Sequence, residues 1–124
     1  RSFIGMIAES ALAQFFVDKA FIGVRGLSTQ HGITSPFLEE IALKRQMIKA
    51  SREVFVLADH TKFDQTFAGL IAPLSAVHTV ITDERVDPGV LQAIREAGPR
   101  VQVAPLREEA AFEDAEIKAD MRHP

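Results

Sequence analysis

Apolar residues recur at three- and four-residue spacing at the start of the chain. Ile4, Ile7, Ala8, Ala11, Leu12, Phe15 and Phe16 predict one face of a helix over 2–16. Ser2 can cap it, and Glu9 and Gln14 fall on the other face. The pattern then changes: Asp18-Lys19-Ala20-Phe21-Ile22-Gly23-Val24-Arg25-Gly26 is apolar at its centre without alternation, which suits a short strand buried on both faces. Leu27 to Pro36 is rich in Gly, Ser and Thr and reads as a loop. A helix is predicted over 37–52, with Ser35 as cap, Pro36 at its entrance, and Glu39 and Glu40 near its N-terminal end. Ile41, Met47 and Ile48 supply its buried stripe, with Leu38 and Leu43 flanking. Glu40 and Lys44 stand four apart in the favourable order.

Further runs follow. Val54 to Ala58 is a second buried strand, Phe67 to Ile71 a weaker third, Thr79 to Thr82 a fourth and Val101 to Ala104 a fifth. Leu74 to Val77 reads as one helical turn. Pro88 opens a helix through Val90, Leu91 and Ile94, which Gly98-Pro99 stops. From Pro105 the chain is rich in Glu, Asp, Ala, Lys and Arg, so 107–124 reads as an acidic helical or disordered tail. Strands alternating with helices imply an α/β fold with a mostly parallel central sheet. Such sheets place ligands beyond the carboxyl ends of their strands. Three of these ends are polar: Arg25-Gly26, Asp59-His60-Thr61-Lys62 and Thr82-Asp83.

Composition narrows the function classes. At 124 residues the chain is one domain or part of one. With 47% hydrophobic and 25% charged residues it has globular composition. A net charge of −3 argues against nucleic-acid binding through bulk charge. The absence of cysteine excludes disulfides and thiolate chemistry. No apolar run approaches the roughly 20 residues of a membrane helix, and no signal peptide is visible, so a cytoplasmic location is expected. An Arg at position 1, inside an amphipathic pattern, points to a fragment or a processed product.

The most informative cluster is Asp59-His60-Thr61-Lys62, an acid, a hydroxyl and an ammonium directly after a buried strand. Carboxylates accept from sugar hydroxyls, and a lysine brings a mobile positive charge to a phosphate. The same residues also suit a plain turn, with Asp and Thr bonding the local backbone. Gly23 and Gly26 suggest close backbone approach, but no G-x-G-x-x-G or GK[ST] occurs. His31, His60, His78 and His123 have no metal-ligand spacing, and no metal or cofactor is expected. His78 reads as a strand-entry residue. No G-x-S-x-G elbow is present.

Several separate runs together carry a family likeness. They are Asp18 to Ser28, then Gly32-Ile33-Thr34, then Glu40 with Lys44-Arg45-Gln46-Met47-Ile48, then Leu57 to Phe63, then Ile81-Thr82-Asp83. In order and spacing they resemble the effector-sensing domain of DeoR-family transcriptional repressors, across roughly Phe3 to Leu106. The resemblance implies a Rossmann-like fold similar to ribose-5-phosphate isomerase, incomplete here in its N-terminal half, with 1–106 as the C-terminal part of the sensor. It implies a regulator whose sensor binds a phosphorylated sugar and thereby weakens operator binding by a winged helix-turn-helix outside this chain. It also implies that the D-x-S-K-type segment of that fold matches Asp59, Thr61 and Lys62. Lys62 would then be a phosphate or hydroxyl partner and Asp59 a hydroxyl acceptor, with Arg25, Gly26 and Asp83 as lesser candidates. Where the family often has Gly after the Lys-Phe pair, this chain has Asp64.

The reading is a non-enzymatic sensor that also forms homo-oligomers. Two alternatives stand beside it. One is an isomerase-like enzyme remnant drawing on Asp59, Asp83 or Asp18, although the run Asp18 to Gly23 lacks the acid-rich segment of that isomerase. The other is an α/β assembly module whose strand-end residues only satisfy turns.

Overall fold

Four apolar runs of the chain form parallel neighbours in one sheet. They are β1 (Val17–Gly23), β4 (Ser51–Leu57), β6 (Thr79–Asp83) and β7 (Arg100–Ala104). A computed structural model describes residues 16–105 and the backbone of the strand 117–120. The predicted helix over 2–16 lies outside the described residues, apart from Phe16. The same is true of the tail at 106–116 and 121–124. Strand β8 (Ile117–Asp120) runs antiparallel beside β1, giving the order β7-β6-β4-β1-β8. Those four tail residues are thus strand where a helical or disordered tail was expected.

Register lines up Ile22, Val56 and Val80, all with no exposed surface, and sets Ala20 beside Val54. Burying each of these branched side chains contributes about 1.5–3 kcal/mol. The opposite face is only half-buried, which corrects the expectation of strands buried on both sides. There Phe21 and Phe55 stack with ring centroids 4.7 Å apart. Helix α1 (Leu38–Ala50) adds Ile41 and Met47 to the core, and helix α2 (Pro88–Glu96) adds Leu91 and Ile94. Leu38, expected to flank the buried stripe, is 74% exposed at the start of α1. The fully buried position on α1 is Lys44. Asp87 caps α2 by accepting from the Gly89 and Val90 amides. His78 enters β6 as expected: its Nδ1 accepts from the Val54 amide at 2.9 Å.

The stretch from Leu27 to Pro36 is not a loop. It holds β2 (Gly26–Ser28) and β3 (Gly32–Ser35), which form a hairpin. The weaker third strand is β5 (Gly69–Ala72), and it pairs antiparallel with β3 rather than joining the parallel sheet. This second sheet has the order β2-β3-β5. Its Gly and Thr content hides it from hydrophobic periodicity, because close packing here depends on small residues. Gly32 adopts φ +72°, and a Cβ there would sit 2.3 Å from the Ala72 carbonyl oxygen. On the outer strand β5, the Leu70 carbonyl accepts from Arg45 of α1, with Nε at 3.0 Å. Among the described residues no helix is long and apolar enough to cross a membrane.

Candidate functional site

The carboxyl ends of β1, β4 and β6 form one rim, because Leu57 is in register with both Gly23 and Ile81. Beyond β4 the chain makes a 3-10 turn, His60–Lys62. Asp59 caps it: Oδ1 accepts from the Thr61 amide at 2.8 Å and from the Thr61 hydroxyl. The capping role foreseen for a plain turn is therefore filled by Asp59 and Thr61. Lys62 Nζ lies 3.9 Å from Asp59 Oδ2, and its side chain is 39% exposed.

Both ends of this turn are fixed. Before it, the Ala58 amide donates to the Ile81 carbonyl at 3.0 Å. After it, Phe63 is buried and bridges to Leu27 of β2, while the Asp64 amide donates to the Leu27 carbonyl at 3.0 Å. Lys62 therefore projects from a segment held between the two sheets. Asp64 sits at φ 63°, in the left-handed region that favours glycine and that Asp tolerates. The backbone at this position accounts for a glycine preference, and the carboxylate that Lys62 meets is Asp59 rather than Asp64.

Asp83 ends β6 with its side chain fully buried. Oδ2 accepts from the His60 amide and lies 2.8 Å from His60 Nδ1, and Oδ1 accepts from the Arg85 amide at 2.8 Å. Burial acts to raise the Asp83 carboxyl, but the hydrogen bonds from His60 and Arg85 outweigh it and hold the group below its ordinary range. Asp83 is thus an ionised acceptor, which assigns the Nδ1 proton to His60 and leaves Nε2 as the ring's second functional atom. His60 was not among the sequence-derived site residues. Its only signal was its place in the strand-end cluster, since its partner lies 23 residues away.

Arg25 and Gly26 follow β1 but are differently employed. Arg25 Nε pairs with Glu40 Oε2 at 2.8 Å, and its guanidinium lies over the Phe37 ring at 4.7 Å. Glu40 Oε1 also takes Lys44 Nζ at 2.8 Å, and Lys44 donates to the Gly23 carbonyl. Burial acts to raise Glu40, while Lys44 and Arg25 together hold it below the ordinary value. Gly26 is packed within the second sheet: a Cβ there would lie 2.6 Å from the Gln65 carbonyl oxygen and 2.9 Å from Thr34 Oγ1. The rim thus gathers Asp59, His60, Thr61, Lys62 and Asp83 closely, with Arg25 tied into α1 at the neighbouring strand end.

Asp59, His60 and Asp83 also offer ligand atoms within 4.8 Å of one another. They meet by long-range convergence rather than by local spacing. His60 Nδ1 already donates toward Asp83, so a cation seated between them would have to displace that proton. Two clefts open elsewhere. One of about 340 Å³ is lined by residues including Thr29, His31, Thr66 and Phe67, and one of about 550 Å³ by residues including Arg25, Phe37 and Glu40.

Residues 1–84 match the family described as the DeoR C terminal sensor domain. The chain belongs to the DeoR family. Over 87 residues it is 33% identical to the HTH-type transcriptional regulator IolR of Bacillus subtilis (strain 168), covering 70% of this chain and 35% of that protein. It is 36% identical over 92 residues to a putative sgc region transcriptional regulator of Escherichia coli (strain K12), covering 74% and 35%. It is 40% identical over 83 residues to the HTH-type transcriptional repressor GlcR of Bacillus subtilis (strain 168), covering 67% and 32%. The chain therefore spans about a third of the length of these curated relatives. The DeoR match takes in the rim from Arg25 to Asp83, and the relatives are named as regulators rather than enzymes.

Proposed function

We propose that this chain is the effector-sensing and oligomerising part of a transcriptional repressor. In this reading it binds a phosphorylated sugar at the rim of β1, β4 and β6, and that binding relieves operator DNA binding in the cytoplasm by a winged helix-turn-helix outside these residues. The observation that carries the reading is the placement of Lys62. A DeoR sensor chain fixes this lysine at a strand-end turn, partly exposed, beside hydroxyl-bonding groups. Lys62 supplies charge to the phosphate, Thr61 and Asp59 meet hydroxyls, and Arg25 and Asp83 frame the two neighbouring strand ends. Signalling requires unequal affinity: the sugar phosphate must favour the DNA-free conformation, or it shifts nothing. Exposed Phe37 just before α1 and Leu38 at its start, with Leu70 on the adjoining β5, are apolar groups for contact with a second copy.

A thermal-shift screen of the chain against a panel of sugar phosphates tests the binding, since any ligand of the folded state raises the melting temperature by mass action. At least one member of the panel is expected to do so. Lys62→Ala should abolish that rise while leaving the unliganded melting temperature within about 2 °C, because a partly exposed surface ion pair adds little stability. A wild-type rise that survives Lys62→Ala places the ligand elsewhere.

A further inference from the structure

We propose that His60 is the proton-carrying, ligand-facing residue of the rim: with Nδ1 held by buried Asp83, Nε2 takes up a proton as an anionic ligand binds, so sensing is coupled to pH. This rests on the phosphorylated-ligand reading above and adds a linked proton to it.

The inference follows from a charge count at the turn. Asp59 and Asp83 are two carboxylates, and Lys62 is one ammonium. With His60 neutral, these groups sum to −1 beside a ligand that is itself a phosphate monoester dianion. A proton on His60 brings the local sum to zero and supplies a second N–H donor. The other charged groups nearby do not remove the deficit. Glu84 and Arg85, which follow Asp83, cancel each other. Asp64 lies past Lys62 and adds negative charge. At the β1 end, Arg25, Lys44 and Glu40 sum to +1, which the negative charge of Asp64 offsets; both cations there are bonded to Glu40, and Lys44 also to the Gly23 carbonyl.

Geometry makes Nε2 the site of uptake. The backbone amide of His60 and its Nδ1 both converge on Asp83 Oδ2, each at 2.8 Å, so the ring's tautomer and orientation are set from inside. The His60 side chain is 25% exposed, while Asp83 has no exposed surface. No bond to carbon is made or broken. The step is a proton moving from solvent to Nε2 as the anion arrives.

The test uses inorganic sulfate, which stays a dianion through the range in which histidine titrates, so that only the protein's protons change. Sulfate affinity of the chain is measured by calorimetry from about pH 5.5 to 8, alongside the sugar-phosphate panel. Wild type is expected to bind sulfate roughly tenfold more tightly at the acid end. His60→Asn keeps an N–H donor where Nδ1 stood and removes Nε2, so its affinity should be nearly flat across the same range. If wild-type sulfate binding is flat, or His60→Asn keeps the slope, the proton coupling is wrong while the sugar-phosphate reading stands. If neither sulfate nor any sugar phosphate binds at any pH, both readings fall. Nitrogen-15 spectra of the wild-type imidazole decide the matter without a variant. Nδ1 should stay protonated throughout, and sulfate should move the Nε2 titration to higher pH. An unmoved titration with sulfate bound overturns the proposal.

Discussion

Lys44 has no exposed surface, yet its ammonium is held by Glu40 Oε1 and the Gly23 carbonyl. Taking an ammonium out of water costs several kcal/mol, which close partners must offset. Glu40 is the partner common to Lys44 and Arg25, so Glu40→Gln removes the charge that balances both. Loss of about 1–3 kcal/mol of stability is expected, measurable as a lowered urea midpoint at unchanged slope. An unchanged midpoint would mean that Lys44 finds compensation elsewhere. The sequence shows the i, i+4 pair of Glu40 and Lys44, and the structure contains it. Burial of Lys44 is not legible there, because it depends on the β1 end lying over α1. The Asp83–His60 bond was hidden for a similar reason: the two residues meet only through the neighbouring registers of β4 and β6.

At the scale of elements, long apolar runs announced themselves. Val54 to Leu57 and Thr79 to Thr82 carry β-branched residues between polar ends, and both are strands of the parallel sheet. Helix α2 was bounded by residues with local meaning, Pro88 at its first position and Gly98 beyond its end at φ +130°. The small sheet was missed because its strands are three or four residues long and lean on glycine where backbones approach closely. Gly32 tests that dependence. Gly32→Ala forces a left-handed residue and a contact with the Ala72 carbonyl, so β3 and β5 must part locally. A loss of about 2–4 kcal/mol is expected. Amide exchange should accelerate in β3 and β5 and stay slow in β4 and β6. Uniform acceleration across both sheets would show that the two unfold as one unit.

At the scale of the molecule, acid stability draws on two carboxyls among the described residues. Asp83 and Glu40 are both held below their ordinary values of 3.8 and 4.5. A depressed folded-state value means that the native state binds fewer protons than the unfolded chain as pH falls through this range. Their contribution is therefore complete above about pH 5 and is lost as pH drops through the folded-state values. Melting temperature should fall steeply from about pH 5 to pH 3, and Glu40→Gln should flatten part of that slope. A wild-type profile that is level over this interval would contradict the pairing. One further contact bears on how these molecules behave in a crowd. The outer rim of a sheet ordinarily invites a stranger's backbone to zip alongside. Here the guanidinium of Arg45 already occupies the carbonyl of Leu70 on that margin. That acceptor is thereby closed to a stranger's amide, and the smaller sheet is guarded at that point against growing by another strand.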